Sequence, residues 1–144
     1  MAVLLLDATV WLAAKDEADE AHEACRAVVA TISHDLAALD LTLYETANVA
    51  VTRWRDVTAA VELGGVIRVA VGDRLLRMDT SLHASAATLA AAHGLTVYDA
   101  AYVAARDASD YALISLDQDL LTPGFAIHPR DVPPDPPADD ETTA

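Results

Sequence analysis

The chain has 144 residues, 53% of them hydrophobic, which is enough for one domain with a substantial core. Its apolar runs are too short to cross a bilayer, and its start lacks the features of a secretory signal, so we expect a soluble, cytoplasmic protein. The formal net charge of −14 disfavours nucleic-acid binding through charge alone and favours cations or basic partners. Cys25, the single cysteine, lies in an Ala/Val-rich helical pattern and is expected to be a small core residue.

Short apolar strands alternate with helices along the chain, a pattern typical of an α/β fold with a mainly parallel sheet and helices on both faces. The predicted strands cover residues 2–6, 35–39, 74–78, 111–115 and 125–127. The predicted helices cover residues 8–15, 17–32, 42–55, 56–71, 81–93, 97–108 and 117–121. Residues 56–71 are ambiguous because the Gly64-Gly65 pair favours a break, and helix is the preferred interpretation.

Residues 131–144 differ in composition from the rest of the chain. They contain four prolines and five acids with almost nothing apolar, which predicts a disordered tail. We therefore expect a single domain in residues 1–130, and this domain is acidic even without the tail.

Four carboxylates stand apart from the other acids because they are embedded in apolar sequence. Asp7 follows the first strand, Asp117 follows the stretch YALISL, and Glu45 and Asp99 lie in LTLYETANVA and LTVYDAAYVAA. Each has a structural explanation. Asp7 and Asp117 fit helix N-caps, and Glu45 and Asp99 each follow a threonine by three residues, as in a capping box.

Taken together, the four acids predict a site. Ligands of parallel α/β sheets bind outside the carboxyl ends of the strands, and regular winding brings all four acids to that edge. Thr9 follows Asp7 by two residues, and Asn48 lies one helical turn after Glu45. Clustered carboxylates take up protons unless a cation neutralises them. Hard divalent cations prefer oxygen ligands and support phosphodiester cleavage, so the pattern predicts metal-dependent phosphoryl chemistry.

In order, the stretches DATVW, LTLYETANV, LTVYDAAYVAA and LISLDQDLL resemble the PIN domain, and more narrowly the small ribonuclease toxins of VapBC toxin–antitoxin pairs. The resemblance runs from Val3 to Pro129, and the ordered set is much more specific than any single motif. It implies a PIN-like three-layer α/β/α sandwich. It also implies hydrolytic cleavage of RNA by an endonuclease that depends on Mg²⁺ or Mn²⁺.

The resemblance also implies roles for individual residues. The acidic cluster that would bind metal and carry out catalysis consists of Asp7, Glu45, Asp99 and Asp117. The supporting polar residues in or beside the motifs are Thr9, Asn48, Ser115 and Asp119. Ser115 stands where the family often has threonine, and it retains the hydroxyl.

The family implies partners as well, namely an RNA substrate and a small antitoxin whose C-terminal segment blocks the cleft. An acidic toxin favours a basic antitoxin segment, with an arginine entering the carboxylate pocket. Homodimers are common in the family, and the apolar helices between Leu41 and Val71 are the expected dimer surface. The candidates for holding RNA phosphates are Arg53, Arg55, Arg68, Arg74, Arg77 and Arg106.

Two alternatives remain open. The first is a non-catalytic PIN-like module that acts only through a protein partner. The second is a phosphatase of the haloacid dehalogenase type, which needs an acid where this chain has Thr9 and a suitably placed lysine, and Lys15 is the only one. A Rossmann nucleotide site is excluded because no glycine follows the first strand, and the five histidines lack the paired spacing of a zinc site.

Overall fold

The computed structural model describes residues 2–138. Within them, four parallel strands form one sheet: β1 (Val3–Leu6), β2 (Asp35–Leu39), β3 (Leu75–Leu76) and β4 (Ala112–Ile114). The α-helices of the same region are α1 (Ala8–Lys15), α2 (His22–Val29), α3 (Asp40–Thr52), α4 (Val57–Val71), α5 (Thr80–His93), α6 (Val97–Ser109) and α7 (Gln118–Leu121). None of the helices in residues 2–138 is both long and apolar enough to span a bilayer.

The strand order is β3-β2-β1-β4, with β1 in the centre. The chain builds the sheet outwards from β1 through β2 to β3 and then returns to add β4 on the other side of β1. The strand order therefore reverses between β1 and β4, which is where open α/β sheets bind their ligands. Leu6 pairs with Ile114 in the register of these two strands, so the next residues, Asp7 and Ser115, leave the sheet side by side.

Alternate residues of β1 belong to two separate cores. Leu5 is buried in a cluster with α5, α6 and α7, whereas Leu4 and Leu6 are buried in a cluster with α1, α2 and α4. Both faces of the sheet are thus covered, which explains why the strands are apolar throughout. The predicted three-layer α/β/α fold is confirmed. Cys25 is fully buried in the second cluster, as a small core residue is expected to be.

Most predicted elements lie within three residues of their observed bounds, and the largest difference is at α2. The helix predicted from residue 17 begins only at His22. The carboxylates of Asp16 and Asp19 accept hydrogen bonds from the amides of Ala18 and Ala21, which holds this stretch in turns instead.

The ambiguous stretch 56–71 is helical and continuous. Its buried residues recur at helical spacing: Leu63, Ile67 and Val71 pack on the sheet, and Ala59 and Ala60 pack against Ala50 of α3. Packing of this face outweighs the helix-destabilising effect of Gly64 and Gly65, each of which costs about 1 kcal/mol relative to alanine.

Two predicted strands are shorter than expected. The strand at 74–78 is reduced to the two residues of β3, after a 3-10 turn at Gly72–Arg74. The strand at 125–127 is reduced to a single bridge between Ile127 and Ile114.

The helical hairpin of α5 and α6 brings the start of α6 to the carboxyl edge of the sheet. α5 ends at Gly94, which adopts the left-handed conformation (φ 66°) that glycine tolerates best. Two residues later Thr96 caps α6 by accepting a hydrogen bond from the amide of Asp99 at 3.1 Å. Asp99 therefore lies in the first turn of a helix that points its start at the end of the sheet.

Of the predicted tail, residues 139–144 lie outside the described residues. Before them, half-buried Val132 packs against the core formed with α1, α2 and α4. The carboxylate of Asp135 accepts hydrogen bonds from the hydroxyl of Thr31 at 2.8 Å and from the amides of Ile32 and Ser33 at 2.9 and 3.0 Å. Disorder of the tail and a domain end at residue 130 stay predictions.

Candidate active site

Asp7 lies directly after β1, at the point where the strand order reverses, and only 4% of it is exposed. It caps α1, as the sequence predicts, and accepts hydrogen bonds from the amides of Thr9 and Val10 at 3.0 and 3.4 Å. The hydroxyls of Thr9 and Ser115 donate two more bonds to the same carboxylate.

Burial raises the pKa of Asp7 from 3.8 to about 7, against the opposing effect of the bonds from the Ser115 and Thr9 hydroxyls and the Val10 amide. The negative charge of Glu45 contributes in the same direction. A residue that serves only as a helix cap has no need of burial, because a surface carboxylate accepts the same amides without losing its hydration. The burial of Asp7 therefore favours a role for its charge.

Thr9 and Ser115 connect Asp7 to the loop that follows β4. The oxygen of Thr9 accepts a hydrogen bond from the amide of Leu116 at 3.0 Å. The oxygen of Ser115 accepts one from the amide of Asp117 at 2.9 Å. Each hydroxyl donates to Asp7 and accepts from this loop, so together they fix the position of Asp117 relative to Asp7.

Three acids lie close enough to share one ion. Carboxylate oxygens of Asp99, Asp117 and Asp119 are all within 4.8 Å of one another. Burial raises the pKa of Asp99, and the charges of Asp117 and Asp119 add to the effect. An all-oxygen, anionic set of this kind fits a hard divalent cation, so Asp119 is placed with the predicted cluster.

Glu45 reaches the same region from α3. This helix begins at Asp40, directly after β2, so Glu45 lies in its second turn rather than its first. The capping box considered for Thr42 and Glu45 is wrong, because Thr42 lies inside the helix and is fully buried. The carboxylate of Glu45 instead accepts a hydrogen bond from the hydroxyl of Tyr102 at 2.6 Å.

The acids influence one another in a continuous series. Burial raises the pKa of Glu45, the hydrogen bond from Tyr102 opposes the rise, and the charge of Asp99 adds to it. Glu45 in turn acts on Asp7, and Asp117 acts on Asp99. The charges of the four predicted acids thus act on one another along this series, but of the four only Asp99 and Asp117 belong to the group within 4.8 Å, and the catalytic roles of all four stay predictions.

Asn48 does not bind the acids, although its position one helical turn after Glu45 suggested that it would. Its side chain is exposed on α3, and within residues 2–138 it forms no hydrogen bond to the acids. Its helical spacing from Glu45 holds, but the side chain does not join the polar network around Asp7.

The structure separates the candidate arginines by position. Arg74 is bound at the amino edge of the sheet, where its Nε donates to the carbonyl of Leu36 at 2.9 Å. Arg106 is bound to Asp107 and to the carbonyl of Phe125. Arg53 is exposed, and its side chain forms no ion pair with any described residue.

Arg53 also lies in a groove beside the acid cluster. The groove has a volume of about 300 Å³ and includes Thr9 and Leu116, the pair that connects Asp7 to the loop after β4. Trp54 lines it as well. The complete lining is Thr9, Leu12, Asp16, Asp19, Val49, Arg53, Trp54 and Leu116.

Tyr102 is the residue of the site that sequence reasoning missed. It follows Asp99 by three residues, so the two share a face of α6, and this spacing was the available signal. It lies among alanines on α6 and is buried, with 2% exposed. Only the contact with Glu45, 57 residues away in sequence, shows its link to the acids.

A family model of the PIN domain matches residues 4–125, and no curated protein matches the chain in sequence. Among solved structures, the chain is similar to PAE2754 from Pyrobaculum aerophilum, with a TM-score of 0.67 and 26% identity over 88% of this chain and 83% of that one. It is similar to VapC20 of Mycobacterium tuberculosis, a sarcin–ricin loop cleaving toxin, with a TM-score of 0.74 and 20% identity over 85% and 96%. It is also similar to a toxin–antitoxin complex from Klebsiella pneumoniae, with a TM-score of 0.65 and 12% identity over 88% and 97%.

The three likenesses agree with the observed fold. The family model extends from the centre of β1 past α7 and so includes every acid of the cluster. The chain belongs to the PIN domain family.

Proposed function

We propose that the protein is a metal-dependent endoribonuclease that acts as the toxin of a toxin–antitoxin pair. The observation that carries the proposal is the series of mutually coupled carboxylates at the carboxyl edge of a PIN fold, with buried Asp7 among them. Buried, clustered carboxylates destabilise a fold, so their presence here favours a functional role. The similar structure of VapC20, a sarcin–ricin loop cleaving toxin, supports RNA as the substrate class.

The donor set fits Mg²⁺ or Mn²⁺. Asp99, Asp117 and Asp119 present oxygens within 4.8 Å of one another and would hold the cation, and we propose Asp7 and Glu45 as further ligands beside them. When bound, the cation supplies activation of water and stabilisation of the charge that develops on the phosphate. The chain's own contribution is orientation, since Thr9 and Ser115 fix Asp7 and the adjoining loop fixes Asp117.

Arg53 is the residue best placed to bind the RNA backbone. In a chain with net charge −14, Arg53 places a positive charge in the groove that includes Thr9 and Leu116, without an ion pair to any described residue. The groove it lines continues from Thr9, and Trp54 offers an aromatic surface there. A basic residue next to an aromatic one is typical of single-strand binding.

The acidic charge of the chain and its exposed apolar side chains support two partners, an antitoxin and a second copy of the chain. The acidic cluster suits a basic segment of an antitoxin, and the similarity to a toxin–antitoxin complex supports such a partner. The homodimer predicted on residues 41–71 is supported by large apolar side chains that are exposed on α3 and α4. These are Tyr44, Val51, Val57, Val61, Val66 and Val69.

The phosphatase alternative has no support in the structure. The residue two positions after Asp7 is Thr9, whose hydroxyl is bound to Asp7. Lys15, the only lysine, pairs with Glu62 on α4 at 3.5 Å.

The first prediction concerns RNA cleavage. Purified protein with Mg²⁺ or Mn²⁺ is expected to cleave total RNA, and EDTA should abolish the activity. Asp7→Asn and Asp99→Asn should each lower the rate by more than about 100-fold, the upper range for loss of a residue that only supports a metal ligand. Gel analysis of the RNA measures the rate.

Asp79→Asn is the matched control for the cleavage assay. Asp79 also caps a helix, α5, but it lines a groove with Ala105 and Ser109 at the far end of α6 from Asp99. Its replacement should leave cleavage unchanged. Cleavage that survives EDTA and both site variants would contradict the proposal, and absence of any cleavage would favour the non-catalytic alternative.

The second prediction concerns stability and pH in EDTA. Below pH 3.8 the Asp7 carboxyl is protonated in both the folded and the unfolded chain. Between about pH 4 and pH 7 the unfolded chain releases the proton and the folded chain keeps it, so stability falls as pH rises. Asp7→Asn should therefore gain stability relative to the wild type by about 2 to 4 kcal/mol from pH 4 to pH 7.5, as measured by urea unfolding.

Millimolar Mn²⁺ should stabilise the wild type more than Asp7→Asn at pH 7.5. The variant has lost one negative charge of the site and binds the ion more weakly, so its melting temperature rises less by mass action. A stability difference that is constant across pH would show that Asp7 acts only as a helix cap.

The third prediction concerns Arg53. Arg53→Ala should raise KM for RNA about fivefold, which corresponds to about 1 kcal/mol for an exposed charge contact, and should leave Mn²⁺ affinity unchanged. The slope of log affinity against log salt should fall by about 0.7, the value for one phosphate contact on a single strand. Arg26→Ala, an exposed arginine of α2 outside the candidate set, serves as the control. Equal effects of the two substitutions would show that Arg53 acts only through net charge.

The fourth prediction concerns assembly. Light scattering of the chain by itself should give the mass of a dimer, and Val69→Asp should reduce it to a monomer because Val69 is 86% exposed on α4. A wild-type monomer would contradict the proposed homodimer.

The protein encoded by the neighbouring gene should form a complex with the wild-type chain and block RNA cleavage. A neighbouring gene product that neither binds nor inhibits would contradict the proposed antitoxin partner.

A further inference from the structure

A buried chain of hydrogen bonds ends on Glu45. Tyr102 on α6 donates its hydroxyl proton to Glu45 Oε1 at 2.6 Å. The same hydroxyl oxygen lies 2.7 Å from Thr42 Oγ1 on α3. Thr42 is fully buried and Tyr102 is 2% exposed, so water does not compete for these bonds.

The direction of these hydrogen bonds is determined by the number of protons available. The phenol has a single proton, and ionised Glu45 can only accept, so Tyr102 donates to Glu45. The hydroxyl of Thr42 must then donate to the oxygen of Tyr102. A bond to a charged acceptor is stronger than a neutral one, and the donor from Thr42 strengthens it further.

These hydrogen bonds also join the two helices that carry acids of the site. Thr42 and Glu45 are one turn apart on α3, and Asp99 and Tyr102 are one turn apart on α6. One bond from Tyr102 therefore holds the carboxylate of Glu45 against the helix that presents Asp99. Without it, Glu45 would keep the rotamer freedom of a long, half-buried side chain.

We propose that Tyr102 is a positioning residue of the metal site, whose hydroxyl occupies Glu45 Oε1 and leaves Oε2 as the single oxygen of Glu45 that faces a divalent cation. The inference rests on the proposed metal-dependent function. The partner of a ligating carboxylate orients it and sets its affinity for the ion, although it never touches the ion. Thr42 supports the arrangement from behind by fixing the phenol.

The test is the affinity of the purified chain for Mn²⁺, measured by titration calorimetry without RNA. Tyr102→Phe keeps the buried ring and removes the hydroxyl, and it should weaken Mn²⁺ binding about tenfold. Tyr111→Phe is the matched control, because Tyr111 is a half-buried core tyrosine just before β4, at the opposite edge of the sheet from the acids, and its loss of a hydroxyl should leave the affinity unchanged. Urea unfolding in EDTA monitors the fold of both variants.

A double-mutant cycle separates positioning of Glu45 from a general structural role. In Glu45→Gln, Asp99, Asp117 and Asp119 still offer an ion their oxygens, so weaker binding remains measurable. In that background Tyr102→Phe should cause no further loss of Mn²⁺ affinity. The same tenfold loss in both backgrounds would overturn the inference, because Tyr102 would then act independently of Glu45.

The other outcomes are equally decisive. Equal Mn²⁺ affinity of the wild type and Tyr102→Phe would overturn the positioning role and leave the metal site and the proposed nuclease standing. Failure of the wild type to bind Mn²⁺ at all would overturn the metal dependence of the proposed function and this inference with it.

Discussion

The site depends on one constraint, namely that β1 and β4 end side by side with a buried carboxylate between them. The pairing of Leu6 with Ile114 brings Asp7 next to Ser115. From there the hydroxyls of Ser115 and Thr9 connect Asp7 to the loop that carries Asp117. A shift of one residue in this register would turn the side chains of β4 to the opposite face of the sheet and separate the two acids.

The fold tolerates the charge of its two most buried acids, Asp7 and Glu45, by giving them hydrogen-bond donors. Asp7 accepts hydrogen bonds from two amides and two hydroxyls, and Glu45 accepts one from the hydroxyl of Tyr102. These bonds reduce the cost of burial but do not remove it, since the pKa of Asp7 is still raised to about 7. The folded chain therefore gains from any cation that enters the cluster, which couples metal binding to stability.

The net charge of the chain shapes its encounters with other molecules. A strongly acidic surface repels RNA at long range, so the proposed binding of RNA would come from local features such as the groove of Arg53 and Trp54 and from the proposed cation. The same surface attracts a basic protein. An antitoxin with a basic segment therefore has an electrostatic advantage over the substrate in reaching the cleft.

The sequence by itself determined the alternation of strands and helices, because the apolar periodicity that defines each element is local. It also singled out Asp7, Glu45, Asp99 and Asp117, because an acid in apolar sequence is conspicuous. It overestimated α2, where Asp16 and Asp19 compete for backbone amides, and it did not find Tyr102. Only the tertiary structure decided which acids lie close enough to share an ion, which arginine lines the groove beside them, and where the hydroxyl of Tyr102 is directed. These depend on contacts between residues up to 108 positions apart, and distance in space between such residues is set by sheet register and helix packing, not by any local pattern.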